Sequence, residues 1–184
     1  MERIFFAVNL SSEVEQVIRD VQAAMEDSPG QIRWGAPDQT HITLKFVGEV
    51  EPGRPQVLWR AVEELDLPEA FDIQLNQTGV FPNPRRPRVL WVGIEESPEL
   101  TALATGIDQR LKSEGIEPES REFHPHITVG RVKGSGLPGE TMERFLELDI
   151  PEVSMPVQSV VCYKSDLQPS GPVYTALRTV ELGR

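Results

Sequence analysis

Apolar residues recur along the chain in two rhythms, one of period two and one of helical spacing. Residues 3–10, Arg3-Ile-Phe-Phe-Ala-Val-Asn-Leu10, form a short run with β-branched and aromatic members that reads as a first strand. Ser12 opens a helix, with Glu15 three places on as a capping box, and Val14, Val17, Ile18, Val21 and Met25 follow at helical spacing. Ser28-Pro29-Gly30 ends that helix. A short strand around Ile32 to Trp34 leads to a longer one at about 41–48. Glu51-Pro52-Gly53 turns the chain, and Val57, Leu58, Ala61, Val62 and Leu65 mark a second helix. Phe71 to Phe81 is strand-like, and the proline-rich stretch 82–87 that follows is a loop, unable to sit inside a sheet.

The order then starts again. Arg88 to Glu95 is a strand, and Ser97-Pro98 begins a helix with proline at its first position. Leu100, Leu103, Ala104, Ile107 and Leu111 carry its apolar stripe, and Gly115 closes it. A strand at about 126–132 precedes the Gly134-Ser135-Gly136 loop, a short helix near 139–148, a strand at roughly 153–163 and a last strand from Val173 to Val180. Arg3 and Arg88, Ser12 and Ser97, and His41 and His126 are each separated by 85 residues, while the two helix stripes are offset by 86. The matched halves, roughly 1–87 and 88–184, predict an internal duplication inside a single bilobal domain spanning 1–184. This order fits an α+β fold: two pseudo-symmetric lobes of mainly antiparallel sheet, helices outside, and an active-site cleft between them.

Composition mostly excludes. A chain of 184 residues, 39% hydrophobic, holds one sizeable core or two small lobes sharing one. No apolar stretch approaches the ~20 residues that span a bilayer, so no membrane partner is expected. The first apolar run is too short for a signal peptide and lacks a small-residue cleavage site. The one cysteine, Cys162, rules out an intrachain disulfide, suits a reducing cytoplasm, and reads as buried and inert. A formal charge of −11 argues against coating nucleic acid through a broad basic surface, yet leaves room for a local basic cleft that grips one phosphate.

The candidate chemistry lies in a motif present twice, His41-Ile42-Thr43-Leu44 and His126-Ile127-Thr128-Val129. On a strand, the His and the Thr two places later share a face. One copy alone reads as a hydrogen-bonded core histidine beside a good strand former. Two copies, using two of the chain's three histidines at matched positions, point to a two-histidine site. Paired imidazoles suit phosphodiester chemistry without a metal: the neutral ring takes a proton from attacking water, and the protonated ring delivers one to the leaving oxygen. The threonine hydroxyls can donate to the non-bridging oxygens as charge builds there. No cofactor and no metal are expected. One rival is a metal hydrolase with His41, His124 and His126 as nitrogen ligands; against it, Pro125 disturbs the strand and no Asp or Glu stands at ligand spacing. The other rival is a non-catalytic module that binds nucleotides or RNA ends.

The wider sequence resembles the 2H phosphoesterases, most closely the bacterial and archaeal RNA 2′,3′-cyclic phosphodiesterases, also called 2′-5′ RNA ligases. The resemblance spans essentially the whole chain. It rests on Arg3-Ile-Phe-Phe-Ala-Val, Trp34 ahead of His41-Ile-Thr-Leu-Lys-Phe-Val-Gly-Glu, Gly79-Val-Phe-Pro, and Arg88-Val-Leu-Trp-Val-Gly. Phe123-His-Pro-His-Ile-Thr-Val-Gly-Arg, Ser165-Asp-Leu and Gly171-Pro-Val-Tyr174 complete it. It implies a bilobal α+β fold and hydrolysis of an RNA-terminal 2′,3′-cyclic phosphate to a 2′-phosphate. It also implies His41 as proton donor, His126 as proton acceptor, and Thr43, Thr128 and Arg131 as phosphate-holding residues. Ligation of tRNA halves through a 2′-5′ bond is the reverse of that chemistry. Related enzymes act instead on ADP-ribose cyclic phosphate, on 2′-5′ oligoadenylates or on RNA tails. A cytoplasmic monomer is expected.

Arg131 carries a tension. It lies five residues after His126, so strict alternation sends it to the opposite face, unless a bulge or bend at Gly130 redirects it. Its counterpart in the first copy is Phe46. By the same alternation Lys45 shares the His41 face, either meeting phosphate or ending a strand in water. Arg85, Arg86 and Arg88 form the densest basic cluster, on the loop joining the halves, either a place to receive the RNA chain or, as it reads first, a solvated loop. Phe123 and Tyr174 are candidates for base stacking but read first as packing residues.

Overall fold

The computed structural model describes residues 1–28 and 32–183. Strand β1 (Glu2–Asn9) runs into helix α1 (Ser12–Ala24), β2 (Ile32–Trp34), a single 3₁₀ turn (Pro37–Gln39), β3 (His41–Val50) and α2 (Arg54–Glu63). Strands β4 (Phe71–Phe81) and β5 (Val89–Ile94), helix α3 (Pro98–Ser113), β6 (His126–Val132) and helix α4 (Gly139–Leu146) follow, and β7 (Ser154–Val157), β8 (Ser159–Gln168) and β9 (Gly171–Glu181) end the chain.

The two long helices start and pack alike. Ser11, not Ser12, caps α1: its hydroxyl accepts from the Val14 N–H at 3.3 Å. The Ser97 hydroxyl does the same for Leu100 at 3.2 Å. The expected capping box at Ser12 and Glu15 is therefore one residue late, and the true caps lie 86 apart, the same offset as the two apolar stripes. Val14, Val17, Ile18 and Val21 on α1, and Leu100, Leu103, Ala104, Ile107 and Leu111 on α3, are all buried. Each fully buried aliphatic side chain of this kind contributes ~1.5–3 kcal/mol. Of the expected stop after α1, Pro29 and Gly30 lie outside the described residues. On α2, Val57 is exposed, and Pro55, Leu58, Ala61 and Val62 form the buried face instead.

Nine strands among the described residues make one antiparallel sheet ordered β7-β4-β5-β6-β3-β1-β8-β9, with β2 paired to β6 off that path. Read outward from the β6–β3 seam, one side is β6, β5, β4, β7 and the other β3, β1, β8, β9. The two sides thus exchange strands between the N- and C-terminal parts of the chain. What the sequence reads as one strand over 153–163 is two, β7 and β8, divided at Gln158 and serving opposite sides of the sheet. One residue joins them, and a link of two ~3.8 Å Cα steps obliges the sheet to curl until those strands approach. The same closure brings the end of β9 to the start of β4, where the Gly183 N–H donates to Pro68 at 2.9 Å. The helices and one face of the sheet form the core. The other face is concave, and the paired motifs open onto it.

Candidate functional site

Strands β3 and β6 touch through one registered pair, Ile42 opposite Ile127, both fully buried in the core. Extending that antiparallel register sets His41 across from Thr128 and Thr43 across from His126. Side chains flanking a core-facing pair point the other way, so the two imidazoles and two hydroxyls form one patch on the concave face. A cleft of about 350 Å³ is lined by all four, by Arg131, and by the β2 region and the β8–β9 turn.

Beyond the seam both strands carry the same irregularity. On β6, Leu90 of β5 pairs with Gly130 but Trp91 pairs with Thr128, leaving Val129 as an extra residue. On β3, Phe6 pairs with Lys45 but Ala7 with Thr43, leaving Leu44 extra. The burial patterns agree: Leu44 and Lys45, and Val129 and Gly130, are consecutive buried pairs where strict alternation would expose one member. A bulge inverts the facing of all that follows. It turns Arg131 onto the His126 face, where its guanidinium lines the cleft and its charge is felt at both imidazoles.

The matching bulge turns Lys45 away. Lys45 does not share the His41 face: it is buried on the core side, with Nζ 2.6 Å from Asp108 of α3 and 2.8 Å from the Glu117 carbonyl. The bulged Val129 carbonyl leaves the regular ladder and accepts from the Gly35 N–H at 3.0 Å and the Gln22 amide at 3.1 Å, so α1 pins the bulge. Gly130 is required there. A Cβ on it would stand 2.8 Å from the Trp34 ring and 2.9 Å from Ile32.

Each imidazole is oriented in the same way. Nδ1 of His41 lies 3.0 Å from the Gln39 carbonyl, and Nδ1 of His126 2.7 Å from that of His124. A carbonyl only accepts, so each Nδ1 carries the proton and each Nε2 is the nitrogen free to react. Aromatic rings hold both imidazoles from the sides. Phe5 stacks on His41 at 4.8 Å between centroids and Tyr174 meets it edge-on at 5.1 Å. Phe81 meets His126 edge-on at 4.9 Å, while Trp91 packs on His124 at 5.0 Å. Burial among these rings is the main reason both histidines sit below their ordinary value of 6.5. Arg131 lowers both further, and the carbonyl bonds only partly oppose this.

The remaining candidates separate clearly. Tyr174 lines the cleft, and Phe123 packs against the core. Arg85, Arg86 and Arg88 are exposed outside the cleft lining, on a turn where the Asn83 side chain accepts from the Arg85 and Arg86 N–H groups. Cys162 is fully buried and its thiol is pushed up to about 12 by burial. Among the described residues no group of three His, Cys, Asp or Glu side chains converges as a metal ligand set. Sequence reasoning missed Arg33, which lines the cleft from β2, and Ser170, and it marked Gly171-Pro-Val-Tyr174 only through the family resemblance, giving 171–173 no role. Arg33 lies beside neither His-x-Thr copy, and only the pairing of β2 with β6 brings it in.

Comparison with known proteins shows the family. The family model described as the 2'-5' RNA ligase superfamily matches residues 10–169. The RNA 2',3'-cyclic phosphodiesterase of Methanothermobacter thermautotrophicus is 36% identical over 98% of both chains. That of Archaeoglobus fulgidus is 31% identical over 97% of this chain and 99% of its own. Among solved structures, one from Thermus thermophilus superposes with a TM-score of 0.79 at 29% identity, covering 98% of this chain and 97% of its own. E. coli LigT complexed with 3'-AMP superposes with a TM-score of 0.78 at 27% identity, covering 100% and 99%. Both His-x-Thr motifs and Arg131 fall inside the matched span, and the chain belongs to the 2'-5' RNA ligase superfamily.

Proposed function

We propose that this protein hydrolyses the 2′,3′-cyclic phosphate at an RNA end to a 2′-phosphomonoester. The observation that carries the reading is the matched pair of imidazoles, each with Nδ1 tied to the carbonyl two residues back and Nε2 left free at one cleft. The names of the relatives add the substrate class. His126 Nε2 takes a proton from water, the water oxygen forms a bond to phosphorus, the P–O3′ bond breaks, and His41 Nε2–H delivers its proton to O3′. Each proton transfer contributes ~10²–10⁴ in rate. Thr43, Thr128 and Arg131 donate to the non-bridging oxygens, where charge accumulates in the transition state.

The division of roles between His41 and His126 follows the family likeness, because their surroundings are nearly symmetric. In the free protein both rings are held below 6.5 and are mainly neutral at pH 7. An entering phosphate offsets the Arg131 charge, strengthens the hold of the donor imidazole on its proton and so favours its protonated form. The expected kcat/KM profile is therefore bell-shaped, with an alkaline limb whose midpoint lies below 6.5, and the kcat profile is displaced upward. A kcat/KM plateau extending above pH 8 would contradict it.

With the 5′-hydroxyl of a second RNA in the place of water, the same displacement forms a 2′-5′ bond, which makes ligation the reverse of 2′-5′ bond cleavage to a cyclic phosphate and not of the hydrolysis itself, and ligation of tRNA halves belongs to this proposal as its second arm. We also infer that it works in a reducing cytoplasm, its one cysteine being a deeply buried free thiol, and that it acts as a monomer, since a single chain lines the cleft with both motifs. The test offers the protein RNA ends with 2′,3′-cyclic phosphate, cyclic nucleotides and 2′-5′ oligonucleotides, and identifies the product phosphate by ³¹P NMR. A 2′-phosphate from RNA ends is expected. A 3′-phosphate, or turnover confined to 2′-5′ linkages, overturns the reading. A substrate with sulfur at the 3′ leaving position fixes the roles: it should restore turnover to His41→Ala and not to His126→Ala.

A further inference from the structure

Arg33 and Arg131 stand directly opposite each other on β2 and β6. Opposed residues of an antiparallel pair share a face, and both guanidinium groups line the cleft. Ile32 and Trp34, on either side of Arg33, turn to the other face and pack on the core. Like charges in opposed positions destabilise a sheet, and among the described residues no carboxylate forms an ion pair with either arginine. In a chain of net charge −11, two unpaired cations kept face to face mark a place for anions.

The two arginines do not reach the same place. Arg131 bears on both imidazoles and on the Tyr174 phenol. The Arg33 guanidinium lies instead against Gly171 at the β8–β9 turn, a position of positive φ where any side chain would overlap it. That contact turns Arg33 toward the β8–β9 end of the cleft.

We propose that Arg33 binds the backbone phosphate next to the terminal nucleotide, so that the cleft prefers an RNA chain end over a free cyclic mononucleotide. Arg131 holds the reacting phosphate and Arg33 the neighbouring one, a two-point grip that a mononucleotide satisfies only half. This rests on the hydrolytic reading above. It adds a specificity-determining residue which the two motifs do not include.

The test compares kcat/KM for a tetranucleotide ending in 2′,3′-cyclic phosphate with that for the matching cyclic mononucleotide. Arg33→Gln should reduce the ratio of the two about tenfold, mainly through KM on the tetranucleotide. Arg131→Gln should lower both values and preserve the ratio. Affinity for a tetranucleotide ending in 2′-phosphate gives a readout independent of turnover. Its log K against log salt slope should become shallower by about 0.7 in Arg33→Gln, the value of one phosphate contact to a single strand. An unchanged ratio with an unchanged salt slope overturns the proposal, as does an equal loss on both substrates, which would assign Arg33 to the reacting phosphate. If the wild-type protein turns over neither substrate, the hydrolytic reading fails, and the salt slope still decides the role of Arg33.

Discussion

At the scale of single residues, the bulges decide more than the motifs do. Lys45 and Arg131 are both cations beyond a His-x-Thr copy, and the one-residue insertions at Leu44 and Val129 send them to opposite faces. Lys45 is consequently structural. Replacing it with Met should leave turnover near wild type while lowering stability by about 3 kcal/mol in a denaturant titration, because Asp108 loses its partner. A large loss of kcat/KM with unchanged stability would contradict this. Gly130→Ala places a Cβ 2.8 Å from the Trp34 ring, and an overpacking cost of about 1–3 kcal/mol is expected. The motifs were legible in the sequence because chemistry is carried by residue type and spacing. The facing of Arg131 was not, because a bulge is a property of the pairing with β5, and no alternation rule applied to β6 alone contains it.

Among the elements, the helices and strands do separate work. Helix α1 supplies Gln22, whose amide spans the Gly35 and Val129 carbonyls at 2.8 and 3.1 Å. Gln22→Leu should loosen the bulge, costing roughly 1 kcal/mol in stability and weakening phosphate binding through Arg131. KM should rise more than kcat falls, and a pure kcat effect would argue against positioning through the bulge. The strands β3 and β6 bring in two depressed imidazoles. Below pH 6.5 the unfolded chain binds protons that the folded chain refuses, so stability must fall as pH drops from 6.5 toward the lower folded values. The double variant His41→Phe and His126→Phe should flatten that slope in melts recorded between pH 7 and 5. Helical stripes announced α1 and α3 well, even to their 86-residue offset, since burial on one face enforces the period. Ser11 was missed in favour of Ser12 because two adjacent serines offer equal capping chemistry, and only the packing of the stripe chooses between them.

For the whole molecule, strand exchange has an energetic consequence. The side of the sheet that holds β3 and β1 is completed by β8 and β9, and β4 crosses to lie beside β5. Neither 1–87 nor 88–184 contains a full side, so neither fragment should fold alone, and the intact chain should unfold in one transition with equal calorimetric and van 't Hoff enthalpies. A dispersed NMR spectrum from either fragment would refute this. The α+β class and the antiparallel sheet followed from the order of apolar runs. The exchange did not, since it turns on Gln158 dividing one apolar stretch between two distant sheet positions. The same curl that makes the exchange possible brings the β8–β9 turn across to Arg33 and gives the cleft its second wall.

The central claim is that two matched imidazoles, and not a lone base, transfer the protons. It is tested most directly by single-turnover hydrolysis of RNA ending in 2′,3′-cyclic phosphate, at saturating protein, for His41→Ala and His126→Ala beside the wild type. Each variant should lose at least ~100-fold in rate while still binding the RNA end. Either variant turning over near the wild-type rate would contradict the account.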